Sequence, residues 1–541
     1  MRHRPRPQVA CLTCVAAVLF GSAYTTYVLH SVSGTNLDTP AWAILIIKTA
    51  VELTASTYGI AFLMSALAFL VMREESDRRC LRSAQPSVGI VYLCCDDVDW
   101  SALESLRSLS YPGRLFLVIQ DDSVDERSRG TVDLMASRLA TQRDWDVRVL
   151  RRPARTGGKA GAVNHALEHT AHLYDYFLLC DNDSTVLVPD TIQRGLEYME
   201  SSDIAGVQFR SVPVADPGYC GANRRLAESI GAFHAFLAPA ARFGWMPFIG
   251  HNALLRTSAV RRVGGFTPGF FSDDLDLTVR LNLAGYRIRY AARVEMGEKH
   301  PPSYTAFRKR SYKWAYGCVQ TLRAHWWGVL TSPQFSVAEK LSFFQFAGFY
   351  CLQCVLLAYL CFVLVAVPLG ALGTFVPDPA SSLFVGAVLI GLVYAPLLSF
   401  YLKTPTRRKP GWIMTLALCG LVYGGTDFSV LRGVTDALCR RRRAWIPTNG
   451  VSATAVDPTL LLEAAFGMVL LSVPIVYLPE LLFLPCWFLF AGKFLFGPAL
   501  SLLYRDEPHG ALATSTHADL SRMRDASDIS ARTAFEQAGI S

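Results

Sequence analysis

At 541 residues, with 51% hydrophobic and only 18% charged, the chain is too long for one ordinary domain and too apolar for an ordinary soluble one, where about a quarter of residues are charged. Its formal net charge of +8 is gathered in clusters: three Arg within Met1–Gln8, the basic stretch Thr404–Lys409 and the four-Arg run Arg440–Arg443. Because these clusters flank membrane-length apolar segments, they point to cytoplasmic loops of a membrane protein and argue against a nucleic-acid surface.

Taken in chain order, Val9–Leu29 carries no charge and follows a basic start. Its alternatives are a signal peptide, for which Gly21-Ser22-Ala23 is a faint cleavage site, and a membrane span; the span is preferred. Ala41–Met72 is a second apolar stretch, whose Lys48 and Glu52 share one helix face, and which ends at Arg73. Residues 1–72 are therefore expected to form two transmembrane helices that return the chain to the cytoplasm. Residues 73–340 change to the composition of an α/β domain. Short apolar runs at Val88–Leu93, Leu115–Ile119, Val147–Leu150 and Tyr176–Leu179 alternate with helical patterns, as buried parallel strands do. Residues 341–505 turn apolar again. Leu341–Val376, Ser382–Leu402, Leu460–Leu478 and Leu481–Tyr504 are candidate spans, the last with Lys493 as an unexplained charge. Gly411–Gly425 is short and flanked by basic residues, which suits a re-entrant or interfacial segment. Residues 506–541 are expected to be a disordered polar tail. The 14 cysteines show no metal-ligand spacing and no disulfide framework, so free thiols are expected.

The chemistry lies at the ends of the expected strands, where open α/β sheets bind ligands. The first is followed by Asp96-Asp97, the second by Asp121-Asp122 and the fourth by Asp181-Asn182-Asp183. Carboxylates gathered in one crevice repel one another unless a cation joins them, and Asp-x-Asp after a strand suits a hard divalent ion shared with substrate phosphates. One such pair alone is more often a turn or a helix cap. Between them lies Arg155-Thr-Gly-Gly-Lys159-Ala-Gly-Ala-Val-Asn164, whose glycines allow close backbone approach and whose lysine suits a phosphate, without Walker-loop spacing. Downstream, Phe248–Arg256 precedes Ser272-Asp273-Asp274-Leu275-Asp276 at the start of a helix, and one of those aspartates suits a general base. Phe307–Gln320 is basic and aromatic, fitting an interfacial helix or a platform for a sugar ring and a diphosphate.

In this order the motifs resemble the processive, membrane-bound family-2 glycosyltransferases, the group of cellulose, chitin, hyaluronan and curdlan synthases, over roughly Val88–Gln320 and the flanking spans. The resemblance implies a GT-A (Rossmann-like) α/β catalytic domain inserted between transmembrane helices. It assigns nucleotide-sugar binding to Asp97, Asp121, Asp122, Lys159 and Asp181, and a Mg²⁺ or Mn²⁺ site to Asp181 and Asp183. Asp274, last residue of the segment standing for the family's Thr-Glu-Asp, becomes the base. Asp273, Arg310, Lys313 and Trp314 become acceptor and diphosphate contacts. Two residues depart from the family's Gln-x-x-Arg-Trp: Arg310 stands for Gln, and Lys313 for Arg, which keeps the charge and loses the bidentate fork. Trp445-Ile-Pro-Thr448-Asn449 is placed like the synthases' gating loop, with Pro for its usual Val and no Lys.

The function so implied is inverting transfer from a nucleotide sugar, UDP-linked in the first instance, to a growing β-linked polysaccharide. The catalytic domain would face the cytoplasm at the plasma membrane, with a glycan acceptor and the lipid bilayer as partners and with export across the membrane as a further possibility. Two other readings stand beside it. One is single transfer to a lipid or polyprenyl-phosphate carrier. The other is a channel or transporter with a regulatory domain, for which the intramembrane pair Lys48 and Glu52 is the best support.

Overall fold

The computed structural model describes residues 8–34, 36–73, 85–142, 145–199, 201–214, 226–301, 304–366, 394–405, 411–424, 426–441, 458–477 and 491–499. The segment Trp445–Asn449, the tail, most of Ser382–Leu402 and part of Leu481–Tyr504 lie outside them.

The chain opens with helices α1 (Gln8–Ser31) and α2 (Thr39–Val71). Asp38 starts α2 by accepting the Ala41 amide at 2.9 Å, with a proline in the first turn, where its missing N–H is not needed. Then come β1 (Val88–Cys94), β2 (Leu115–Asp121), β3 (Asp146–Leu150), β4 (Tyr176–Cys180), β5 (Thr185–Val186), β6 (Ile204–Pro213), β7 (Ala253–Arg256) and β8 (Arg287–Glu298). They form one sheet ordered β3-β2-β1-β4-β7-β6-β8-β5. Strands β3, β2, β1 and β4 are mutually parallel; β7 runs antiparallel to both β4 and β6, and β8 lies parallel to β6. This is a GT-A-like α/β arrangement, a Rossmann-like parallel half continued by a mixed half.

Strands β1, β2 and β4 are buried along their whole length, which is why they are near-continuous apolar runs. Their pleat divides two cores. Val91, Leu93, Val118, Phe177 and Leu179 face one side; Ile90, Tyr92, Leu117, Ile119 and Leu178 face the other. The first core takes in Phe69 of α2, Phe400, Tyr401 and Leu460, so one face of the sheet is continuous with the apolar helices.

Of the remaining helices, five matter for the site: α3 (Gly158–Thr170), α4 (Asp273–Leu283), α5 (Tyr304–Thr331), α6 (Val337–Ala366) and α7 (Asp427–Leu438). Among the described residues, three helical stretches are long and apolar enough to cross a membrane: Gln8–Ser31, Ala41–Val71 and Val337–Tyr359. Helix Trp412–Gly424 has 13 residues, about 20 Å at 1.5 Å per residue, short of the roughly 30 Å of hydrocarbon. Helix α7 crosses α5 at Gly433, where an added Cβ would lie 2.7 Å from the Tyr312 carbonyl oxygen. The Tyr312 hydroxyl donates to Asp436 at 2.9 Å.

Among the described residues, the charges inside apolar segments have partners. Glu52 lies 3.3 Å from Lys48 and accepts the hydroxyls of Tyr24 in α1 and Tyr359 in α6. That pairing ties three helices together. Lys493 lies 2.6 Å from Asp427. Arg308 of α5 forms a fully buried ion pair with Glu463 of helix Pro458–Tyr477.

Candidate active site

Beyond β4, Asp181-Asn182-Asp183 forms a turn locked to the end of β1. The Asn182 amide donates to the Asp97 carbonyl oxygen and the Tyr92 hydroxyl donates to that of Asn182, both at 2.8 Å. The Asp181 amide donates to Ser184 Oγ at 2.9 Å. Lys159 Nζ reaches both Asp181 carboxylate oxygens, at 2.6 and 2.8 Å. The Lys299 amide donates to Asp183 Oδ2 at 3.2 Å, and its ammonium pairs with Asp99. Burial, with Asp181 and Asp183 adding repulsion, pushes Asp97 up to about 7. Burial and then Glu298 push Asp183 up to about 6.

Lys159 is delivered by the turn before α3. Gly157 and Gly158 take φ of +74° and +58°, left-handed values that favour glycine. At Gly161 an added Cβ would stand 2.1 Å from the Thr156 carbonyl oxygen. Asn164 closes the motif from behind, donating to the Phe266 carbonyl at 2.7 Å and accepting its amide at 2.9 Å. Burial opposes the charge of Lys159, but Asp181, Asp273 and Asp274 outweigh it and raise its pKa. This lysine therefore stands between the Asp-x-Asp turn and the start of α4.

At that start, Leu275 N donates to Asp274 Oδ1 at 2.8 Å, and a Cβ on Gly250 (φ +93°) would lie 3.0 Å from Asp274 Oδ2. Helix α5 presses on the same turn, since a Cβ on Gly317 would lie 2.0 Å from Ser272 Oγ. Gln320 of α5 accepts the Phe271 amide at 3.1 Å and donates to the Gly269 carbonyl at 3.0 Å. Burial and then Asp274 push Asp273 up to about 7; burial pushes Asp274 up to about 6. Asp276 belongs elsewhere. It is bound by Thr267 at 2.6 Å and by Arg280 and His325 at 2.8 Å, bonds that outweigh its burial and hold its pKa low.

Asp121 and Asp122 are engaged differently from Asp97. Asp121 lies buried at the end of β2, 2.8 Å from Arg151 and accepting the Ser123 amide at 2.9 Å. Asp122 is held in a fork by Arg152, whose Nε lies 2.9 Å away. Arg152 also donates to the Thr156 carbonyl at 2.5 Å, so this pair braces the loop leading to Lys159.

The face of α5 completes the pocket. Arg310 lies 4.6 Å above the Trp314 ring, whose edge meets Phe233 at 5.8 Å, and 3.6 Å from Glu298. Burial, with Lys159 and Lys309 nearby, pulls Lys313 down to about 8. Two further residues of the pocket, His251 and Glu298, had no role assigned from sequence. His251 Nε2 lies 3.1 Å from Glu298, and its Nδ1 lies 3.8 Å from Asp181. Burial opposes both charges, yet Glu298 and Asp181 lift His251 to about 9, while His251 and Arg310 hold Glu298 at about 2. The only sequence signal was His251 inside the Phe248–Arg256 stretch; Glu298 shows itself only as the last residue of β8.

Asp181 and Asp183 supply hard oxygen donors from one turn. Among the described residues no group of three or more His, Cys, Asp or Glu is placed to cage a metal. Mg²⁺ and Mn²⁺ sites take one or two protein carboxylates and complete their shell with substrate phosphates and water.

Residues 176–426 match the model of glycosyl transferase family group 2. The matched stretch holds Asp181, Asp183, Asp273, Asp274 and Arg310. The chain is 25% identical over 363 residues to a probable glucomannan 4-beta-mannosyltransferase 2 of Oryza sativa subsp. japonica, an alignment covering 64% of this chain and 58% of the relative. It is 26% identical to the beta-monoglucosyldiacylglycerol synthase of Synechocystis, covering 65% and 72%. The chain thus spans little more than half the length of the glucomannan mannosyltransferases it matches. Among solved structures, the mannosyltransferase PcManGT of Pyrobaculum calidifontis, in complex with GDP-Man and Mn²⁺, aligns with TM-score 0.48 and 16% identity over 73% of this chain and 99% of that one.

Proposed function

We propose that the chain is an inverting, divalent-metal-dependent hexosyltransferase that moves a sugar from a nucleotide sugar, UDP-linked in the first instance, to a growing β-linked polysaccharide at the plasma membrane. Its catalytic domain, residues 73–340, would face the cytoplasm between the membrane segments 1–72 and 341–505. The observation that carries this reading is a cluster in which Lys159 pairs with Asp181 and lies within electrostatic reach of Asp273 and Asp274, with Arg310 joined to it through Glu298 and His251. The names of the matched mannosyltransferases and glucosyldiacylglycerol synthase support transfer of a hexose.

In this reading Asp97 and the loop braced by Asp121 and Asp122 hold the nucleoside, and Asp181 with Asp183 would hold Mg²⁺ or Mn²⁺. That ion supplies Lewis-acid stabilisation of the charge left on the departing nucleotide diphosphate. Lys159 and Lys313 bring ammonium groups to the same phosphates, and Arg310 adds a guanidinium. Trp314 offers its ring to the acceptor sugar. Asp274 takes the proton of the acceptor hydroxyl as that oxygen attacks the anomeric carbon in line, with Asp273 beside it. Burial keeps Asp274 basic enough for this task, since a carboxylate at its ordinary value is a weak base. One displacement turns an α-linked donor into a β-linked product.

A second reading, single transfer to a lipid acceptor, is favoured by the Synechocystis relative and by the continuity of the sheet's core with the apolar helices. The purified chain in detergent, given radiolabelled nucleotide sugars with Mg²⁺ or Mn²⁺, separates the two. Long polymer supports the synthase, and one added sugar supports the lipid acceptor. EDTA is expected to stop transfer; full activity in EDTA would remove the metal from Asp181 and Asp183.

A further inference from the structure

Away from the pocket, α3 carries His165 and His169 one turn apart on the same face, with ring centroids 4.3 Å apart. Neither takes part in the chemistry above. His165 is partly buried and His169 is exposed.

Their hydrogen bonds fix which ring nitrogen each presents. Asp122, forked by Arg152, can only accept, and Gln120 donates its amide to Asp122 Oδ1 at 3.1 Å. The amide oxygen of Gln120 is thereby turned to His165 Nδ1, 2.7 Å away. An oxygen there can only accept, so His165 carries its proton on Nδ1 and offers the lone pair of Nε2. His169 Nδ1 lies 2.8 Å from the His165 carbonyl oxygen, which also only accepts, so Nδ1 is the donor there and Nε2 is the nitrogen left for a ligand. A histidine whose second nitrogen donates to an oxygen is the arrangement that orients metal-bound imidazoles.

We propose that His165 and His169 form a second cation site, specific for imidazole-preferring divalent ions of the Zn²⁺, Cu²⁺ or Ni²⁺ class and separate from the hard-ion pair Asp181 and Asp183. The two Nε2 atoms supply neighbouring ligands one helical turn apart. With no third His, Cys, Asp or Glu grouped there among the described residues, water completes the shell. The ion is therefore exchangeable, unlike a closed four-ligand structural zinc. The site does not depend on the reaction assigned to the pocket. It is wired to that pocket all the same, through Gln120, Asp122 and Arg152 to the turn before Lys159.

The test uses the purified full-length chain, stripped of metal and returned to excess Mg²⁺ so that the carboxylate site does not report. Zn²⁺ uptake is read by competition with a chromogenic chelator, and Cu²⁺ by nitrogen hyperfine structure in electron paramagnetic resonance. Wild type is expected to take up one Zn²⁺ that both His169→Gln and His165→Gln lose, and to show coupling of Cu²⁺ to two imidazole nitrogens. Melting curves confirm that the exposed His169→Gln variant is folded. Absence of Zn²⁺ uptake by wild type in excess Mg²⁺, or equal uptake by folded His169→Gln, overturns the proposal.

Discussion

Replacing Gly317 by Ala tests how helix α5 sets the geometry of the Asp273–Asp274 turn. Within a helix this change removes backbone freedom from the unfolded chain, so propensity alone predicts a gain of about 1 kcal/mol. The packing predicts the reverse. The new methyl would stand 2.0 Å from Ser272 Oγ and 2.7 Å from both the Ser272 Cβ and its backbone nitrogen. The hydroxyl can rotate away, but the backbone cannot. With ordinary contact near 3.5 Å, the turn must retreat by roughly 0.8 Å. Overpacking of this kind costs about 1–3 kcal/mol. Ser272 is the N-cap of α4, so Asp273 and Asp274 move with it. A displacement approaching 1 Å can lower a positioned reaction about 100-fold. Initial rates of sugar transfer should therefore fall by about that factor, while nucleotide affinity, which the proposal assigns to Asp97 and the Asp181 turn, holds. A Gly317→Ala protein with wild-type turnover and a raised melting temperature would refute the reasoning.

Two further outcomes follow from buried charge. Glu463→Gln leaves Arg308, of which 1% of the side chain is exposed, without its counter-ion. The loss should be about 3–5 kcal/mol, seen as an earlier thermal transition in detergent; the apolar double variant Arg308→Met with Glu463→Leu should recover much of it, and an unchanged transition for Glu463→Gln contradicts the buried pair. Transfer should also depend on pH through Asp274. Its folded pKa, raised to about 6, means that the base is mostly ionised above that value and protonated below it. Activity should therefore be nearly full at about pH 7 and roughly tenfold lower at about pH 5, and a flat kcat/KM profile across that window would contradict the assignment.

Much of the parallel half of the sheet was legible because strands buried on both faces are near-continuous apolar runs, as Val88–Cys94 and Leu115–Ile119 are. The mixed half was not. Strand β8 alternates Arg287, Arg289, Arg293 and Glu295 with buried residues, so it offers no apolar run, and β5 has only two residues. Motifs written in consecutive residues, such as Lys159–Asn164 and Asp181–Asp183, stand out in a sequence. Partnerships across the fold do not. His251 and Glu298 are 47 residues apart, Arg308 and Glu463 are 155 apart, and the acid that answers Lys493 is Asp427 on another helix. Sequence also could not separate the aspartates by environment. Asp121 and Asp122 have arginine partners from the next strand's end, Asp276 has three donors of its own, and Asp97, Asp183, Asp273 and Asp274 share burial.

The most direct measurement compares wild type with Asp274→Asn, following both radiolabelled sugar transfer and nucleotide binding on the same preparation. Transfer by wild type that falls about 100- to 10,000-fold in the variant, with nucleotide affinity kept, is the predicted result. Undiminished transfer by Asp274→Asn, or no transfer by wild type from any nucleotide sugar, would contradict the account.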